Sequence, residues 1–139
     1  MSTLLNPYIS FPSDDAREGM EFYKTILGGD LKLDTFKDSG MEEHFPGEGD
    51  KIMHGMLTTD NGITLMGADT PNSMKHEVNS NISLSLSGDD EAQLTGYFEK
   101  LAEGGEITQP LTKADWGDIF GMLTDKFGVN WMVNITPKQ

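Results

Sequence analysis

The chain has 139 residues, with 10 Lys and Arg against 23 Asp and Glu for a formal net charge of −13, 36% hydrophobic residues and no cysteine. That length suits one compact domain burying roughly 70% of its unfolded surface, and the lack of cysteine removes thiolate nucleophiles, disulfides and Cys-type zinc sites together. The acidic excess counts against nucleic acid and anionic membrane surfaces as partners; no run approaches the roughly 20 apolar residues of a membrane span, and the first residues lack a secretory signal pattern, so the expectation is a cytoplasmic, acidic protein.

From the N-terminus, near-alternation over 6–11 predicts a half-buried strand. A helix follows. Ser13, Asp14 and Asp15 stand where an N-cap and the helix dipole favour them, and Ala16, Met20, Tyr23 and Leu27 recur at helical spacing. Gly28 and Gly29 end it, because glycine takes a left-handed backbone without a Cβ clash. Strands are predicted over 31–36, 52–59 and 63–66, the last two joined by Asp60-Asn61-Gly62, a hairpin-turn signal. The stretch 37–51, rich in Gly, Pro and acids, reads as an exposed loop, and 69–79 as the connection between two halves.

The second half opens with a strand over 81–87, where Ile82, Leu84 and Leu86 share one face and Ser83, Ser85 and Ser87 the other. Asp89-Asp90 begins a helix with the apolar stripe Leu94, Tyr97, Phe98 and Leu101, stopped by Gly104-Gly105. Strands are then predicted over 106–112, 119–124 and 129–135, with Asp125-Lys126-Phe127-Gly128 as a turn. The halves are related as a weak repeat. When Gly28-Gly29 is laid over Gly104-Gly105, Phe22 falls on Phe98, Lys24 on Lys100, and an acid follows each glycine pair. The order is βαβββ twice, in modules spanning 6–68 and 80–136. Each helix covers only one face of its sheet, so the expected class is α+β: a curved mixed sheet around a groove, with the helices outside.

Several side chains are candidates for function. His54, in a predicted strand, is the candidate general base, since histidine alone titrates near neutrality without perturbation; a satisfied structural histidine is the alternative. His44 and His76 sit in polar segments and read as surface residues. Trp116, Asp118, Phe120 and Met122 alternate with Ile119, Gly121 and Leu123 and should share a face, giving an aromatic wall with one placed charge, the makeup of a small-molecule pocket. The alternatives are that Trp116 anchors a dimer interface or caps the core, and that Asp118 completes a turn. Tyr8, Ser10, Ser83, Ser85, Met132 and Asn134 form a second inward-facing set, whose polar members suit a wet or ligand-filled cavity or an inter-strand hydrogen-bond network. Trp131 is expected to pack under a helix.

The two βαβββ modules, the helix Glu21-Phe22-Tyr23-Lys24 ending in Gly28-Gly29, the run Lys51-Ile52-Met53-His54, and Trp116-Gly117-Asp118 followed by Asp125-Lys126-Phe127-Gly128-Val129-Asn130-Trp131 resemble the PhnB-like branch of the vicinal oxygen chelate superfamily, which includes glyoxalases, dioxygenases and bleomycin-resistance proteins. The resemblance implies a homodimer and, in metal-dependent members, His and Glu ligands on the first and last strands of the modules. Carried over, those positions fall at or near Tyr8, Ser83, Leu65 or Met66, and Met132. A slip of one or two residues offers Ser10, Ser85 or Asn134. None is a usual ligand of a divalent catalytic metal. The expectation is therefore a protein that binds a small organic molecule, with no cofactor and no metal residues. The alternative is a divalent-metal lyase, isomerase or dioxygenase. Methyltransferase chemistry finds no glycine-rich nucleotide-binding turn here.

Overall fold

The computed structural model describes residues 4–74 and 82–138; His76 and the start of the predicted 81–87 strand lie outside them. The chain divides into two compact units at residues 79 and 80. The first holds β1 (Tyr8–Phe11), α1 (Ala16–Leu27), β2 (Asp30–Thr35), β3 (Ile52–Thr58) and β4 (Thr64–Asp69) in a sheet of order β1-β4-β3-β2. The second repeats it with β5 (Leu84–Gly88), α2 (Glu91–Ala102), β6 (Glu106–Lys113), β7 (Ile119–Thr124) and β8 (Asn130–Ile135), ordered β5-β8-β7-β6. In each unit the first strand pairs parallel to the last, and the remaining pairings are antiparallel. This is the predicted α+β class with its βαβββ order.

Each helix forms because its apolar stripe has one sheet face to cover. α1 buries Ala16, Met20, Tyr23, Ile26 and Leu27, beneath which Leu57, Leu65 and Phe11 form the first core. α2 buries Leu94, Phe98 and Leu101, and the facing strands bury Leu123, Trp131, Val133 and Ile135. The Phe98 ring lies so close to β7 that a Cβ on Gly121 would stand 2.9 Å from it.

The repeat is visible in the backbone. A Cβ on Gly29 would run into the carbonyl oxygen of Thr58, and one on Gly105 into that of Thr124, so the same close approach recurs where each helix hands over to its next strand. The helices differ by one residue at that point. α1 meets Gly28 directly, whereas α2 ends on the extended residue Glu103, with Gly104 following. Consequently the buried aromatic of α1 is Tyr23, and Phe22, which the sequence overlay placed on Phe98, is only half-buried.

Two buried carboxylates hold segments together. β4 runs on to Asp69, into the stretch read as a connection, and Asp69 is 5% exposed. Its Oδ1 accepts from the Ala16 N–H and its Oδ2 from the Ile52 N–H, each at 2.8 Å, tying the start of α1 to the start of β3. In the second unit Asp125 Oδ1 accepts from the N–H groups of Phe127 and Val129, and Oδ2 from Trp131 Nε1 at 2.9 Å. Trp131 thus packs under α2 with its one polar atom satisfied, as buried polar groups require. The exposed 37–51 loop is anchored through Lys51, whose ammonium lies 2.6 Å from Glu48 and 3.0 Å from Asp14. That cation holds the Glu48 carboxyl below the usual range.

Candidate functional site

Strand pairing fixes which side chains share a face, because partners across a ladder point the same way. In the second unit Ser85, Met132, Met122 and Gln109 form one row across the sheet, and Ser87, Asn134, Phe120 and Thr112 the next. These lie opposite the face that α2 covers, whose row Leu86, Val133 and Gly121 is half-buried to buried. The structure therefore brings Ser85, Phe120, Met122, Met132 and Asn134 onto one helix-free face. Ser83 precedes β5.

Trp116 and Asp118 reach this face differently from expectation. The alternation does not extend through them, because β7 begins at Ile119 and residues 114–118 form a turn closed by the Ala114 N–H donating to the Asp118 carbonyl at 2.7 Å. Gly117, at φ 103°, supplies the left-handed backbone that turn needs. From it the Trp116 ring stands edge-on to Phe120 at 6.2 Å and remains 67% exposed, so it does not cap the core. Asp118 Oδ2 accepts from Asn134 Nδ2 at 2.9 Å, which links the turn to β8. Asp118 makes no ion pair among the described residues.

In the first unit the corresponding row is Tyr8, Met66, Met56 and Lys32, and the next contains Ser10, Ala68 and Asp34, with His54 paired to Asp34. His54 lies 6.0 Å from Tyr8, ring to ring, and burial pushes the Tyr8 phenol up from its ordinary value. The two units superimpose row on row: Met56 and Met66 occupy the places of Met122 and Met132, Tyr8 that of Ser85, and His54 that of Phe120. The first-strand counterpart of Tyr8 is thus Ser85, not Ser83. The physical reason is a shorter connection: Pro12-Ser13-Asp14-Asp15 separate β1 from α1, but only Asp89-Asp90 separate β5 from α2. The opposed methionine pairs escaped the sequence reading, although their constant spacing was the signal that could have found them.

The positions at which the resemblance implies metal ligands hold a phenol, hydroxyls and thioethers. Leu65 is buried on the helix side, so Met66 is the fourth-strand position. Divalent zinc, iron or manganese takes imidazole, carboxylate or thiolate donors, and these residues do not supply them. Among the described residues no three His, Asp, Glu or Cys converge. A depression of about 520 Å³ opens instead at the N-terminal end of α2, lined by Asp89, Asp90, Lys113, Gly117 and Lys138, and none of the predicted site residues borders it.

The chain matches the model of the Glyoxalase/Bleomycin resistance protein/Dioxygenase superfamily over residues 7–133. It is similar to protein PA1353 from Pseudomonas aeruginosa, at 36% identity and a TM-score of 0.85 over 99% of this chain and 100% of that one. It also resembles a Bacillus cereus PhnB protein described as a putative 3-demethylubiquinone-9 3-methyltransferase, at 25% identity and a TM-score of 0.76, covering 96% of this chain and 100% of the other. Protein YjdN of Escherichia coli strain K12 is 28% identical over 97% of each chain. No helix among the described residues is long and apolar enough to cross a membrane. With the family match spanning both βαβββ units and the relatives covered almost end to end, the chain belongs to the Glyoxalase/Bleomycin resistance protein/Dioxygenase superfamily.

Proposed function

We propose that this protein binds a small amphipathic organic molecule against the helix-free face of its second unit, without a divalent metal centre. The observation that carries the reading is the juxtaposition around Trp116: an indole 67% exposed, edge-on to Phe120, beside an Asp118 carboxylate oriented by Asn134. An exposed large aromatic in a soluble domain gains stability when a flat apolar group covers it, and a carboxylate without an ion-pair partner favours a hydrogen-bond donor or a cation on that group. Met122 and Met132 extend the surface with thioether side chains that adapt to irregular shapes. The donor chemistry of this face supports the absence of a divalent centre there, since Met122 and Met132 offer thioethers, Asn134 an amide, and Asp118 is the one carboxylate beside them.

The test uses indole fluorescence. Trp116 is exposed while Trp131 is 3% exposed, so quenching or a blue shift on titration reports on Trp116. Amphipathic amines such as 4-phenylbutylamine should shift the emission more than the matching neutral alcohol; because Trp116→Ala removes the reporting indole, isothermal titration calorimetry compares the two proteins, and the variant should bind more weakly by more than about 1 kcal/mol, as truncation of an anchoring residue does. Chelator treatment should change nothing. Equal affinity in Trp116→Ala, or emission unmoved by every probe, overturns the proposal.

A further inference from the structure

The first unit carries a set of side chains that the second does not. Met56 on β3 and Met66 on β4 are direct cross-strand partners, so their Cβ atoms stand about 4.5–5.5 Å apart on one face. His54 is two residues before Met56 on the same strand and therefore shares that face, one step along the pleat. Tyr8, opposite Met66, flanks the group with its ring 6.0 Å from that of His54. All three of His54, Met56 and Met66 are half-buried: enough surrounding structure to restrict them, enough opening to admit an ion. The His54 imidazole makes no hydrogen bond and no ion pair among the described residues, so both ring nitrogens are available.

We propose that His54, Met56 and Met66 form a binding site for a soft monovalent ion, copper(I) in the first place. Thioether sulfur is a neutral, polarisable donor that selects copper(I), while harder divalent ions prefer oxygen and nitrogen. Two thioethers and one imidazole on adjacent positions of a rigid sheet supply three donors, and flexible methionine side chains let the sulfurs swing toward a common point beside the imidazole. The phenol ring of Tyr8 walls one side. This set lies wholly in the first unit, and of the divalent-ligand positions that the resemblance implied it shares only Met66.

The repeat supplies the internal control. The second unit keeps the methionine pair as Met122 and Met132, but the place of His54 is taken by Phe120, which offers no donor. The proposal therefore assigns binding to one unit only.

Copper(I), kept reduced with ascorbate, would be titrated into the full chain in competition with a chromophoric copper(I) chelator. One ion per chain is expected, with Met56→Leu and His54→Gln each weakening retention at least about tenfold, the lower end of what even an outer-shell loss costs at metal sites. Met122→Leu should leave it unchanged. Leucine matches methionine closely in volume, so folding is preserved, and a melting curve on each variant checks this. Silver(I), which is redox-inert, should shift the methyl resonances of Met56 and Met66 and leave those of Met122 and Met132 in place. Failure to compete with the chelator, equal loss in Met122→Leu and Met56→Leu, or zinc(II) binding as tight as copper(I) would each overturn the assignment.

Discussion

Replacing Asp125 by Ala tests whether the turn after β7 and the buried indole of β8 are held by one carboxylate. Asp125 is 3% exposed and receives three N–H donors, from Phe127, Val129 and Trp131 Nε1, at 2.9, 3.0 and 2.9 Å. A hydrogen bond to a charged group contributes about 1.5–3 kcal/mol, and removing the acceptor leaves buried donors without partners. The three bonds share one group and are not additive, so about 3–5 kcal/mol is the expected loss. For a chain of this length each kcal/mol lowers Tm by about 3 °C, which places the variant about 10–15 °C below the parent.

Asp125→Asn separates geometry from charge. Its carbonyl oxygen can still accept from the two backbone donors, while its amide meets the indole N–H donor to donor, so a smaller loss of about 1–2 kcal/mol is expected. Trp131→Phe removes only the indole donor on that side, and combining it with Asp125→Ala in a double-mutant cycle measures the Asp125–Trp131 coupling. Urea unfolding followed by far-UV circular dichroism reads the parent and the four variants. A loss under about 1 kcal/mol in Asp125→Ala, or a coupling indistinguishable from zero, refutes the reasoning.

Gly105→Ala should lower Tm by more than about 10 °C, because its Cβ would meet the Thr124 carbonyl oxygen and neither backbone can retreat cheaply; Gly29→Ala, which faces Thr58 in the same way and whose φ of 92° adds left-handed strain, should cost more, and a mild effect at either position would show that the handover between helix and strand is more pliable than its geometry indicates. Asp15→Asn should stabilise the protein at pH 7: burial, aided by the nearby Asp69, raises the Asp15 carboxyl above its ordinary range, and its Oδ1 has no hydrogen-bond partner among the described residues. A folded value above the unfolded one means that stability is fully present below the unfolded pKa and is lost as pH rises through the folded one, so the gain should be present at neutral pH and vanish in acid. Melting curves from pH 3 to 7 check the sign, and a gain that grows as pH falls would reverse it.

The element order was legible because periodicity of two and of 3.6 residues is written into local sequence, and because the repeat supplied each half with a second copy of its own pattern. Asp69 shows where this stops. Its donors, Ala16 and Ile52, lie 53 and 17 residues away, so nothing local distinguishes it from a linker acid. Trp116 shows another limit, since the alternation in letters continues across Gly117 while the chain turns there. The counterpart of Tyr8 shows a third limit: the strand-to-helix connection is two residues shorter in the second unit, which puts Ser85, within the slip that the repeat leaves open, rather than Ser83 beside Met132. Faces within a strand were readable; registers between strands were not, because pairing is settled by tertiary contacts.

The matched rows bear on what the methionines do. If they only filled space, the two pairs would be interchangeable, because Met56 and Met66 sit on the same sheet positions as Met122 and Met132. Their neighbours make them different. In the first unit the pair stands beside an imidazole and a phenol, in the second beside a phenyl ring, with an exposed indole and an oriented carboxylate near that ring. A thioether beside nitrogen donors is a soft ligand, and the same thioether beside aromatic rings is an adaptable apolar surface. On the two proposals, one duplicated scaffold with one duplicated methionine pair would carry two chemistries, set by His54 against Phe120. The exchange His54→Phe should abolish copper(I) retention while leaving amine binding at Trp116 intact, and loss of both together would mean that the two faces do not act independently.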